Sequence, residues 1–276
     1  GFMQGRLLKK FQGRFQAFPI NDWEKEFKIA DKLNIRNIEF IIDSYYPEIN
    51  PLLTNEGIEK IKKLEKKFKI KVFSICADYF MDNPIHIHGC KNNYSLNFFI
   101  HLIKVAKKLN IKNIILPCVD QSSIFNKKNY EKNLIKNIKY AKNVFEKNKV
   151  NICLETDLPP NKIIKIVNKI NSKFFGINYD TGNSASLGYN IKNEFKVYGS
   201  YIKEIHIKDR LLNGKSVRLG KGNTDFKAFF KELQRINYKG VFIFQPYRDY
   251  LGKNIFINQF KWFKNKMKMF KENEKL

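Results

Sequence analysis

Glu155, Asp180 and His206 are two carboxylates and an imidazole separated by 25 and 26 residues. Carboxylate oxygen and imidazole nitrogen suit Mn²⁺, Mg²⁺, Co²⁺ or Zn²⁺, and three such donors leave coordination positions open for substrate oxygens. Each residue lies at the end of a short apolar run: Cys153-Leu154-Glu155-Thr156-Asp157, Asn178-Tyr179-Asp180-Thr181-Gly182-Asn183 and Glu204-Ile205-His206-Ile207-Lys208-Asp209. Taken singly, a carboxylate at a strand end is an ordinary cap or hydrogen-bond acceptor. Three at one interval, the length of one strand-plus-helix unit, stand on neighbouring strands at one level and predict a single divalent metal site.

The elements needed to hold that site are legible in the same sequence. Short apolar runs alternate with longer stretches of helical period, the signature of repeated βα units. After a stub at Gly1–Met3, strands are predicted over Asn37–Ile42, Ile70–Cys76, Asn113–Pro117, Val150–Glu155, Phe174–Asp180, Tyr201–Ile207 and Gly240–Gln245. Helices are predicted near Trp23–Leu33, Asn55–Phe68, Leu96–Leu109, Tyr130–Glu146, Asn161–Ile170, Ile191–Tyr198 and Phe226–Ile236, with a last one from Asn254. Eight units, with no G-x-G-x-x-G after the first strand, predict an α/β fold: one (β/α)8 TIM barrel over residues 1–276 rather than a doubly wound open sheet. The stub implies a first strand that begins upstream. The longest loops, Ala77–Tyr94 and Lys208–Asp225, follow strands 3 and 7 on the face where barrels carry their active sites.

Composition narrows the function classes. Hydrophobic residues are 43% of the chain and Phe alone numbers 25, enough to bury one large core. The formal charge of +26 raises nucleic acid as a partner, but only seven of the 52 basic residues are Arg, and the lysines are spread over every helix. Readers of bases and phosphates favour clustered Arg for its bidentate geometry, so the charge reads as a Lys-rich surface rather than a nucleic-acid footprint, and a small anionic substrate fits either reading. Cys76, Cys90, Cys118 and Cys153 form no CxxC pair, and three of them lie in or beside apolar strands. Buried free thiols and a reducing, cytoplasmic setting are expected. No stretch has the length of a membrane span, and Gly1-Phe2-Met3 opens no signal-peptide pattern.

Substrate contacts are predicted around the same face. Lys208, Asp209, Arg210, Lys215, Arg218 and Lys221 crowd the loop after strand 7, where Gly220-Lys221-Gly222 can offer backbone N–H groups to an anion. Arg248 follows strand 8. Gln4, Arg6 and Arg14 lie near strand 1. In Pro84-Ile85-His86-Ile87-His88 the two histidines alternate as in an extended segment, so both are expected to reach the pocket mouth, with His88 on substrate hydroxyls. His101 sits in a helix and reads as structural.

The chain resembles the xylose-isomerase-like barrel superfamily, in its sugar-phosphate isomerase/epimerase branch. The resemblance is carried by Gly1-Phe2-Met3-Gln4-Gly5-Arg6-Leu7, Asn37-Ile38-Glu39-Phe40, Leu154-Glu155-Thr156, Asp180-Thr181-Gly182-Asn183, His206-Ile207-Lys208-Asp209, and Leu219-Gly220-Lys221-Gly222 followed by Asp225-Phe226. In that superfamily the metal is held by Glu, Asp, His and Glu on strands 5 to 8, and the first three match Glu155, Asp180 and His206. Strand 8 departs: Gln245 stands where the second glutamate is expected. Its carboxamide oxygen can still ligate a hard cation, but it cannot carry a proton.

The resemblance implies a metal-dependent sugar or sugar-phosphate isomerase working through an enediolate, with Glu155, Gln245 and Glu39 in the catalytic set. It allows a homodimer or homotetramer. Epimerisation at one carbon needs two proton carriers, whereas Glu155 alone can move a proton between neighbouring carbons, so isomerisation is the expectation. A 3-epimerase, with Glu39, Asp157, Asp209 or His88 as second carrier, and a keto-polyol dehydratase are the alternatives. Four histidines are too few for the three-metal cluster of the superfamily's DNA-repair endonucleases, and a barrel that binds sugar without turnover is a further contrasting reading.

Overall fold

The computed structural model describes residues 1–273. Eight parallel strands follow the order β1 to β8 and close on themselves: β1 Phe2–Met3, β2 Asn37–Ile41, β3 Lys71–Cys76, β4 Asn113–Cys118, β5 Asn151–Thr156, β6 Phe175–Asp180, β7 Ile202–Ile207 and β8 Val241–Phe244. The predicted TIM barrel is the observed architecture. Even the two-residue β1 pairs on both sides, Phe2 with Ile38 and with Phe244, which completes the ring.

Around the barrel run α1 Lys25–Lys32, α2 Asn55–Phe68, α3 Tyr79–Asp82, α4 Tyr94–Lys108, α5 Lys128–Asn148, α6 Pro160–Ile170, α7 Thr181–Leu187, α8 Ile191–Tyr198, α9 Phe226–Arg235 and α10 Lys253–Asn273. The predicted helices are present, with ends shifted by a few residues. The short α3 and α7 were not expected. Thr181–Leu187 carries no apolar stripe; it is a helix because the Asp180 side chain accepts from Asn183 N at 2.8 Å and Gly188, at φ 71°, ends it.

The outer layer is packed with phenylalanine. Phe244 meets Phe260 and Phe263 edge-on at 5.0 and 5.1 Å, so α10 is clamped to β8. Each fully buried ring of this kind contributes about 1.5–3 kcal/mol. The barrel interior is polar instead. Side chains alternate along a strand, so β7 turns Ile205 and Ile207 outward and Glu204 and His206 inward. Ser74 Oγ lies 2.9 Å from Glu39 Oε2 and 2.7 Å from Glu204 Oε1, and Asn113 Nδ2 donates to Glu204 Oε2 at 2.6 Å. One hydroxyl has one proton to give, so the two carboxyls joined by Ser74 need a proton of their own.

The segment from Ile85 to His88 is a turn, not an extended run. Asn93 and Asn137 hold its carbonyls, at 2.8 Å to Ile85 O and 2.8 Å to His88 O. His86 is therefore buried against Tyr130 while His88 is exposed, and the expectation that both face the pocket mouth is corrected. No helix among the described residues is long and apolar enough to cross a membrane.

Candidate active site

β5, β6 and β7 bring Glu155, Asp180 and His206 together: one ligand atom from each lies within 4.8 Å of the others. The register pairs Asp180 directly with His206. Glu155 is held from two sides, with Asn178 Nδ2 donating to Oε2 and Asn183 Nδ2 donating to Oε1, each at 2.8 Å. Burial raises its carboxyl to about 7, with His206 opposing and Asp180 adding to the rise. Asp180 spends Oδ1 on the cap of α7 and leaves Oδ2 facing Lys208 Nζ at 3.5 Å.

His206 stands between two acidic groups. Its Nδ1 is 3.6 Å from Glu155 Oε2, and its Nε2 is 3.0 Å from Glu39 Oε1 and 4.0 Å from Glu204 Oε1. Neither ring nitrogen is aligned for a full hydrogen bond, although the residue is wholly buried. Gln245 Oε1 is likewise buried without a partner. Its Nε2 donates to Gln16 Oε1 at 2.6 Å. Unpaired buried acceptors cost about 1–3 kcal/mol each, a cost that a bound cation would offset. The donor set of two carboxylates and an imidazole nitrogen fits Mn²⁺, Mg²⁺, Co²⁺ or Zn²⁺.

The remaining predicted residues divide. Lys208 and Arg210 reach the site: Lys208 Nζ and Arg210 Nη1 lie 3.4 and 2.9 Å from Asn183 Oδ1. A cleft of about 130 Å³ opens beside them, lined by Val119, Asp120, Asp157, Asn183 and Arg210. Lys215, Arg218 and Lys221 are exposed on the loop. Asp209 is wholly buried and accepts from Gly220 N and Gly222 N at 2.9 Å each and from Thr224 N at 3.1 Å. The glycine-rich cradle is filled by the protein's own carboxylate, which corrects both the expected backbone anion site and Asp209 as a substrate contact.

Glu39 lies behind His206 in the barrel interior, fully buried, and does not face the cleft as a catalytic side chain would. Burial raises its carboxyl to about 7. Gln4 is 1% exposed, with Oε1 accepting from Ile41 N at 3.1 Å, so it splints β1 to β2. Arg6 is buried on Phe15 O and Gln16 Oε1, and Arg248 on Leu8 O, so both hold the loop after β1 instead of opening to substrate. Arg14 pairs with Asp43 at 3.2 Å. Sequence reasoning missed Gln16, Asn178 and Asp78. None carries a motif in the sequence.

Comparison with known proteins agrees with the barrel fold. The fold matches the solved IolI protein with a bound zinc atom at a TM-score of 0.76, 16% identity and 98% coverage of both chains. It matches the D-psicose 3-epimerase of Clostridium cellulolyticum H10 at 0.67 and 17%, over 88% of this chain and 85% of that one. A protein of Haemophilus influenzae named, provisionally, L-ribulose-5-phosphate 3-epimerase SgbU is 32% identical over 87 residues, covering 29% of this chain and 30% of the relative. The chain thus aligns with under a third of that relative's length. The xylose isomerase-like TIM barrel family model matches residues 27–272, nearly the whole chain, and the protein belongs to that family.

Proposed function

We propose that the protein is a divalent-metal-dependent isomerase of a sugar or sugar phosphate that acts through an enediolate. One observation carries the reading: Glu155, Asp180 and His206 meet within 4.8 Å, with His206 Nδ1 unpartnered among them and Gln245 Oε1 buried and unpartnered at the end of the neighbouring strand β8. The bound ion would supply Lewis-acid polarisation of the substrate carbonyl and its neighbouring hydroxyl. Glu155, raised to about 7 and fixed by two asparagine amides, is the base that takes the proton next to the carbonyl and returns it to the adjacent carbon. Asn178 and Asn183 keep its carboxylate from rotating away. Lys208 and Arg210, the basic groups of the loop that reach the site, hold a phosphate or carboxylate at the cleft.

The names of the relatives and structural neighbours support a sugar substrate and favour a second reading, 3-epimerisation. That reaction needs a proton carrier opposite Glu155. Gln245 cannot serve, Asp209 is consumed by three backbone N–H groups, His88 is on the surface and Glu39 lies behind His206. Asp157 lines the cleft two residues beyond Glu155 with its carboxyl raised by burial, and Asp78 is a second acid that stays available. Burial raises its carboxyl, and it reaches Gln245 through Gln16.

The two readings separate in D₂O. The protein, supplied with Mn²⁺, Mg²⁺ or Co²⁺, is offered a panel of aldoses, ketoses and their phosphates, and deuterium is located by NMR. Label at C1 or C2 with aldose–ketose interconversion supports the isomerase; label at C3 with inversion supports the epimerase. No exchange with any substrate and any of these metals contradicts both.

A further inference from the structure

The orientation of Gln245 decides whether strand 8 offers the site an oxygen or an amide N–H, and that orientation is set by a residue 229 positions away in sequence. Gln16, on the loop after β1, accepts from Arg6 Nη2 at 3.1 Å on Oε1 and donates from Nε2 to Asp78 Oδ2 at 2.5 Å. A guanidinium can only donate, so the Arg6 contact fixes Gln16 with Oε1 towards Arg6 and leaves its Nε2 to donate to the Asp78 carboxyl. Its Oε1 must then also face Gln245 at 2.6 Å, and a carbonyl oxygen there accepts only from the Gln245 NH₂. Gln245 Oε1 is thereby turned the other way, where it is buried and without a partner.

The strand register sets this carboxamide next to the site. β8 sets Ile243 beside His206, and Gln245 is the next inward position towards the C-terminal end of the strand. On the other side, Cys76 Sγ donates to Asp78 Oδ1 at 3.2 Å, and the charges felt by Cys76 include Asp78, Glu39 and Glu155. The chain Arg6–Gln16–Asp78 therefore passes the C-terminal end of β3, whose Cys76 lies within reach of the Glu155 charge.

We infer that Gln16 is a positioning residue: through the Arg6 and Asp78 contacts it fixes the Gln245 carboxamide so that strand 8 presents a neutral oxygen to the cation at Glu155, Asp180 and His206. This rests on the metal reading given above. It also accounts for a carboxamide at this position. A carboxylate at 245 would set one of its oxygens against Gln16 Oε1, two acceptors with no proton between them, unless Gln16 gave up both Arg6 and Asp78.

The test is a double-mutant cycle on the full chain, read by Mn²⁺ titration calorimetry with thermal unfolding as the control for folding. Gln16→Leu is expected to weaken Mn²⁺ binding about tenfold, as loss of an outer partner typically does. In a Gln245→Leu background it is expected to change nothing further. The pair Gln16→Glu with Asp78→Asn keeps every donor opposite an acceptor and is expected to restore affinity that Gln16→Glu alone loses. Equal loss from Gln16→Leu in both backgrounds, or no loss in a folded protein, overturns the inference. Should Gln16→Leu fail to fold, the Gln16→Glu comparison decides: rescue by Asp78→Asn supports the inference and absence of rescue overturns it. An unaltered protein that binds no Mn²⁺ removes the metal reading itself and this inference with it, an outcome distinct from additive losses.

Discussion

His206 Nδ1 faces Glu155 Oε2 at 3.6 Å, while on the far side of the same ring Nε2 meets Glu39 Oε1 at 3.0 Å. One imidazole thus separates Glu155 in the candidate metal site from a carboxyl sealed in the barrel. The inner contact is short but not aligned as a hydrogen bond, and it stands where an outer carboxyl would tune the ring if Nδ1 held a metal.

Glu155→Gln keeps the size of the side chain and its Asn183 contact, keeps the Asn178 contact once that amide turns its unpartnered oxygen inward, and removes the base. Proton exchange between substrate and solvent is expected to fall by about 10²–10⁴-fold, the range for a lost general base, while the thermal midpoint shifts little. Single-turnover exchange in D₂O with the metal-loaded variant checks this.

Asp180 has two duties, and they can be separated. Asp180→Asn retains an oxygen to cap α7 and is expected to leave stability nearly unchanged while weakening Mn²⁺ binding by at least tenfold. Asp180→Ala is expected to lose the cap as well, at about 1 kcal/mol. Calorimetry for the metal and denaturant midpoints for the fold distinguish the two losses.

Asp209→Ala leaves Gly220 N, Gly222 N and Thr224 N without their acceptor. Each unmet buried donor costs about 1–3 kcal/mol, so a loss of several kcal/mol is expected unless water enters. Limited proteolysis is expected to cut the segment between Lys215 and Lys221 much faster in the variant than in the parent protein.

Glu39 titrates at about 7 in the folded protein against 4.5 for an ordinary glutamate. Between those values the native state keeps a proton that the unfolded chain has released, so this group makes stability fall as pH rises from about 4.5 to about 7 and adds no further slope above. One proton corresponds to about 1.4 kcal/mol per pH unit. In the metal-free protein, Glu39→Gln is expected to flatten the stability profile in that window; an unchanged slope would show that the carboxyl is not held protonated there.

The barrel was legible because its strands are short apolar runs at a regular interval, and β2 through β8 fall where that pattern predicts. The trio of Glu155, Asp180 and His206 was legible for the same reason: spacing of one unit becomes adjacency once the sheet is parallel. What sequence could not convey was the direction of polar side chains. Gly220 and Gly222 read equally as a cradle for a foreign anion or for Asp209, and only the folded loop chooses. Glu39 read as a spare base because nothing local tells a strand residue which layer of the barrel it occupies. Gln16 was invisible, since its partners Arg6, Asp78 and Gln245 come from three separate loops.

The most direct measurement is an anomalous difference map from crystals grown with Mn²⁺. The account predicts a peak bounded by Glu155, Asp180, His206 Nδ1 and Gln245 Oε1, at about 2.0–2.3 Å from each, the range of first-row metal bonds to nitrogen and oxygen. A peak at another position with this pocket empty, or a cation coordinated without His206, would contradict it.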